Sequence, residues 1–146
     1  MDKKEHYTFP AVFEYAEDGN IGVFFPDLPG CVSHGENDAD AYRNAKEALS
    51  LHLYGMEEDD DPIPEPSKLN EVEYEQHEGY TYGIVMIDIW MTPFRDEMEN
   101  KSIKKTVSIP KWLNDLGEKN QVNFSQILQA GLKQYLGIHQ KDQKKA

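Results

Sequence analysis

A chain of 146 residues can hold one ordinary domain, or a domain of about 100 residues with a small module attached. Apolar content of 38% with 29% charged residues excludes an intrinsically disordered chain, and no apolar run approaches the roughly 18 residues of a membrane-spanning helix. Net charge is −12, which taken alone argues against nucleic acid, but the charge is divided: residues 1–100 hold 6 basic and 24 acidic side chains (net −18), residues 101–146 hold 9 and 3 (net +6).

The N-terminus, Met1-Asp2-Lys3-Lys4-Glu5-His6, lacks the apolar core of a signal peptide, so a cytoplasmic protein is expected. Residues 7–15 are β-branched and aromatic and predict a strand; Glu17-Asp18-Gly19-Asn20 has hairpin-turn chemistry, and Ile21 to Phe25 reads as the return strand. Pro26-Asp27-Leu28-Pro29-Gly30 is a turn, followed by a short third strand, Cys31 to His34. Cys31 is the only cysteine, which excludes an internal disulfide and a multi-cysteine zinc site; it is expected to pack as a small apolar residue.

The period then changes. Asp38 is a plausible N-cap, and Ala39, Tyr42, Ala45, Leu49, Leu53 and Met56 form one helical stripe that should end near Gly55. Glu57 to Asp61 is an unbroken acidic run, and Pro62, Pro64 and Pro66 cannot continue a helix. Tyr80 to Met91 is nearly all apolar, which predicts a central strand buried on both faces. The fold class that follows is α+β: a small antiparallel sheet with one packed helix over residues 1–92, and a linker or short helix over 93–101.

Residues 102–110 alternate. Ile103, Val107 and Ile109 share one face, with Lys105 as the exception, while Lys104, Thr106 and Ser108 point the other way. Pro110 suits the first position of a helix carrying Trp112, Leu113 and Leu116, which should stop near Lys119. Asn123 can cap a second helix with Phe124, Ile127, Leu128, Leu132, Tyr135 and Leu136 on its buried face, ended by Gly137. Strand, helix, turn and helix over 102–138 are too few residues to bury a stable core alone, so a homodimer is expected; 139–146 is a tail.

This order resembles the ribbon-helix-helix repressors, whose paired strands lie in the major groove. The resemblance makes Lys104, Thr106 and Ser108 the base readers, lysine being able to donate to guanine N7 and O6. It puts a phosphate at the start of the second helix, at Asn123, Phe124 and Ser125.

Tyr7 to Tyr15, then Gly22-Val-Phe-Phe-Pro-Asp-Leu-Pro-Gly-Cys31, an Ala-rich helix and Pro62-Ile-Pro-Glu-Pro-Ser67 are together similar to the HicB antitoxins. The resemblance implies a degenerate ribonuclease H-like front domain that binds and blocks a small basic RNA-cleaving toxin of the HicA type, fused to a module that represses the operon. Asp27 and Leu28 on the turn, and the 57–61 acidic run, are the candidate toxin contacts. Whether dimers associate further, through the front domains, is left open.

Catalysis is not expected. Asp88 is the one carboxylate placed like a two-metal nuclease residue, and it lacks evident partners. Cys31-x-x-His34 offers zinc only two ligands, Glu57 to Asp61 lacks the spacing of a calcium loop, and there is no glycine-rich phosphate loop, so no metal or cofactor is expected. A different class of reading is a ligand-sensing ribbon-helix-helix regulator, and a third is a regulator with residual metal-dependent nuclease activity.

Overall fold

The computed structural model describes residues 3–138. The chain divides into two compact units, Met1–Ser102 and Ile103–Ala146. The first contains β1 (His6–Tyr15), β2 (Ile21–Phe24), β3 (Val32–Gly35), α1 (Asp38–Glu58), β4 (Thr81–Trp90) and α2 (Met91–Asn100). The second contains α3 (Lys111–Lys119) and α4 (Phe124–Leu136).

The front unit is a four-stranded antiparallel sheet in the order β3-β2-β1-β4 with α1 across one face. Alternation along β1 sends Tyr7, Phe9, Ala11 and Phe13 to that face, where they meet Ile87 and Ile89 of β4 and Ala41, Ala45, Leu49 and Leu53 of α1. The β1–β2 hairpin closes where expected: Gly19 takes a positive φ of 92°, and the Asp18 carboxylate accepts from the Asn20 backbone N–H.

Three expectations change. The helix is capped by Asn37, whose side chain accepts from the Asp40 N–H at 2.8 Å, rather than by Asp38. It also runs past Gly55 to Glu58, because Met56 packs on the core and Glu57 is buried in an ion pair; these outweigh the roughly 1 kcal/mol that glycine costs a helix. The apolar run 81–90 is an edge strand, not a central one. Periodicity reports how apolar a strand's surroundings are and carries no information on its place in the sheet order.

The stretch 93–101, expected as a linker or short helix, lies mostly within the helix α2, which is docked on the front unit. Met91 is fully buried and its N–H donates to Glu5 O at 2.7 Å, while Phe94 meets Tyr54 edge-on at 6.0 Å. Arg95 donates from Nε and Nη2 to the two carboxylate oxygens of Glu57 (2.9 and 2.6 Å), and Nη2 also reaches Lys4 O at 2.6 Å. Tyr7 Oη adds a bond to Glu57 at 3.2 Å. This cluster ties the start of β1, the end of α1 and α2 together.

Candidate functional sites

The basic unit comes first. Residues 101–110 belong to no strand in the single chain, although their alternation predicts one. A strand needs a ladder, and the alternation of side chains is nonetheless present: Lys105, Val107 and Ile109 line one apolar groove with Leu113, Leu116 and Phe124. Lys104, Thr106 and Ser108, all exposed, have the opposite parity and do not line it. Lys105, the misfit of the sequence pattern, does fall on the groove side.

α3 begins after Pro110, which supplies its carbonyl to the N–H groups of Leu113 and Asn114. Asn123 caps α4, its Oδ1 accepting from the Gln126 N–H at 3.0 Å. That leaves the early N–H groups of α4, at Phe124 and Ser125, on an exposed helix start whose partial positive charge suits an anion. Gly137 ends α4 in the left-handed region at φ 73°. Neither α3 nor α4 buries a single residue, and Trp112, Leu113, Leu116, Ile127 and Leu132 are all exposed.

In the acidic unit, the turn 25–31 is held by Leu28 N–H to Phe25 O (2.9 Å) and Cys31 N–H to Leu28 O (3.0 Å), with Gly30 at φ 89°. This turn drives Leu28 into the core at 1% exposure, so the expectation of Leu28 as a toxin contact is corrected: its role is packing. Asp27 stays half-buried, and its carboxylate accepts from the Ser67 N–H at 2.8 Å and hydroxyl at 2.6 Å, pinning the proline-rich segment to the turn. Within the acidic run, Glu57 is likewise withdrawn from the surface, 7% exposed and paired with Arg95. Glu58 to Asp61 remain exposed.

The carboxylates weighed for metal chemistry have separate partners. Thr8 donates to Asp88 at 3.0 Å, Tyr82 to Glu14 at 2.7 Å, and Ser67 to Asp27. Among the described residues no three His, Cys, Asp or Glu side chains converge on a point that could hold a metal ion. Cys31 lies in the core with its Sγ 3.7 Å from Ala48 O, and burial pushes its thiol up to about 11. His34 is exposed on β3, so the Cys31-x-x-His34 spacing brings together no zinc pair. No helix among the described residues is long and apolar enough to cross a membrane.

Sequence reasoning misses the Glu57–Arg95 pair. Glu57 stands in a run of five acids that reads as a solvated helix end, and its one distinguishing feature is the helical spacing from Leu49 and Leu53.

Known proteins are similar to this chain over most of its length. Residues 9–130 match the family described as HicB-like antitoxin of bacterial toxin-antitoxin system. A 14.9 kDa protein of the rep-hol intergenic region of Haemophilus phage HP1 is 32% identical over 105 residues, 72% of this chain and 74% of that one. A UPF0150 protein of Helicobacter pylori is 46% identical over 50 residues, 34% of this chain and 68% of its own length. In solved structures, a chain of a toxin-antitoxin complex from Streptococcus pneumoniae superposes with a TM-score of 0.59 at 27% identity, covering 89% of this chain and 99% of that one. The chain is a member of the HicB-like antitoxin family.

Proposed function

We propose that this antitoxin neutralises a small, basic, HicA-type toxin that cleaves mRNA, and that it represses its own operon by binding DNA through residues 102–138. The front unit is then a non-enzymatic inhibitor, and the rear unit a ribbon-helix-helix module that works as a homodimer. Family membership supports the first half, together with the likeness over 89% of the chain to a chain from a toxin-antitoxin complex. A toxin that holds RNA must carry positive charge, and a net charge of −18 over residues 1–100 favours fast, oriented encounter with it.

The observation that carries the second half is the absence of any buried residue in α3 and α4. An apolar groove of Val107, Ile109, Leu113, Leu116 and Phe124 left open to water is stable only when covered. A second copy covers it if the two 102–110 segments pair antiparallel, which turns Lys104, Thr106 and Ser108 outward together toward the major groove. The N–H groups at Phe124 and Ser125, with the Ser125 hydroxyl, then hold a backbone phosphate.

The toxin-facing surface of the front unit is read as the exposed acids 58–61 and the exposed rim of Asp27. The test is genetic and biochemical. A short basic protein encoded beside this gene should arrest growth alone and not when this chain is co-expressed. Residues 1–102 should still bind that protein but not the operator; the cut follows α2 because ending at residue 92 would remove Arg95 from Glu57. Failure of 1–102 to bind the toxin, with full-length protein binding it, would sink the division of labour. Replacing Lys104, Thr106 and Ser108 by Ala should weaken operator binding at fixed salt, by about 1–3 kcal/mol for each base-edge hydrogen-bonding pair that is removed.

A further inference from the structure

We propose that the groove beside the last turns of α1 takes a basic segment of the toxin and seats one of its lysine or arginine side chains over Gly55. The inference rests on the antitoxin reading above and names where the cation goes. The walls are the end of α1, the 25–31 turn and the chain from Asp61 to Pro64, and they enclose about 660 Å3, room for several side chains. Leu51 and Met56 give the groove an apolar floor, and Leu51 is 53% exposed.

Two features of this stretch oppose the stability of α1. Gly55 stands in the helix interior, where glycine is weaker than alanine. Its φ is not left-handed and nothing lies within 4 Å of an added Cβ, so no turn and no close approach within the front unit requires it. What the missing side chain does provide is a notch in the groove. The second feature is charge. The partial negative charge at a helix C-terminus favours cations, yet the last turn of α1 has no basic residue and the chain continues with Asp59, Asp60 and Asp61. Asp60 turns the chain in the left-handed region at φ 58°, and the Asp61 N–H donates to Met56 O at 2.8 Å. This fixes Asp59 and Asp61 on the groove, and neither has an ion-pair partner among the described residues.

Charge selects the occupant. No lysine or arginine lines the groove, against three aspartates and His52. Asp27 is engaged by Ser67 and holds the wall together, and Glu57 is neutralised by Arg95, which does not line the groove. A cation seated here meets Asp59, Asp61 and the helix end, while its aliphatic stem covers Leu51 and Met56. Lysine and arginine are the side chains with both parts. A second front unit, net −18 over residues 1–100, is repelled by the same acids.

The test measures binding of the full-length chain to the short basic protein encoded beside the gene, at fixed salt. Gly55→Leu fills the notch with a good helix former, so Tm should hold or rise while the toxin dissociation constant rises about tenfold. Gly55→Ala should move both in the same directions by less. A glycine with only a structural role would lose stability and binding together. Asp59→Asn with Asp61→Asn should slow association, whereas Glu17→Gln with Glu36→Gln, equally exposed and outside the groove, removes the same charge with little effect. Wild-type affinity in Gly55→Leu, or in the Asp59 and Asp61 variant, at unchanged circular dichroism would overturn the proposal. So would a change of mass or of operator affinity in Gly55→Leu with toxin affinity intact, which would put a second copy or the chain's own basic unit in the groove. In either case growth rescue by the wild type leaves the antitoxin reading standing; a wild type that does not bind the basic neighbour sinks both.

Discussion

Cys31 packs in the core as its residue type leads one to expect. Its thiol ionises near 9 in an unfolded chain and is pushed to about 11 by burial, so the folded state disfavours the thiolate. Stability from this group is complete below pH 9 and is lost as pH rises through 9 to 11, by roughly 2–3 kcal/mol in all. Burial also raises Tyr7, which adds a loss of the same sign at higher pH. Urea titrations across that window should show a steep fall for the wild type and a shallower one for Cys31→Ala, and the native thiol should resist alkylation. Glu57 makes the opposite point. At 2% side-chain exposure it accepts from Arg95 and Tyr7, so Glu57→Gln leaves the partly buried Arg95 guanidinium without its counter-charge. A loss of about 3–5 kcal/mol is expected by chemical denaturation. Sequence identifies Cys31 as apolar but makes Glu57 a solvated acid, because its cation lies 38 residues away.

Elements are legible where their signal is local. Both hairpin strands, the α1 stripe at Ala45, Leu49 and Leu53, and the limits of α3 and α4 follow from turn chemistry, period and caps, all set within a few residues, whereas at the start of α1 the structure buries Ala41 and leaves the expected Ala39 and Tyr42 exposed. Gly35 is not legible in this way. It ends β3 against the first turn of α1, where a Cβ would overlap the Ala41 backbone. Gly35→Ala should therefore separate β3 from α1, at a cost of about 1–3 kcal/mol, with the largest rise in hydrogen exchange at β3 amides. Gly55, by contrast, has the look of a helix terminator and is an interior residue with nothing within 4 Å of an added Cβ. Gly55→Ala is expected to stabilise by about 0.5–1 kcal/mol, read as a rise in Tm. The two glycines differ only in what the fold places beside them.

For the whole molecule, salt acts on both of the interactions that the proposed function implies. Operator binding by the basic unit releases counterions and should weaken steeply as salt rises. Encounter of the acidic front unit with a basic toxin should slow in the same direction. Operator titrations and toxin association rates, measured in parallel from low to high salt, should both fall. The amino-acid sequence by itself determined the α+β class of the front unit, the order of its elements, the sign change in charge, and the apolar faces of α3 and α4, because period, caps, turns and charge are written in neighbouring residues. Only the tertiary structure decided that β4 is an edge, that α2 belongs to the front unit, that Leu28 is core and that Asp27 holds Ser67. Each of these depends on residues far apart in the chain being brought together, and the packing that joins them is not encoded in any single stretch.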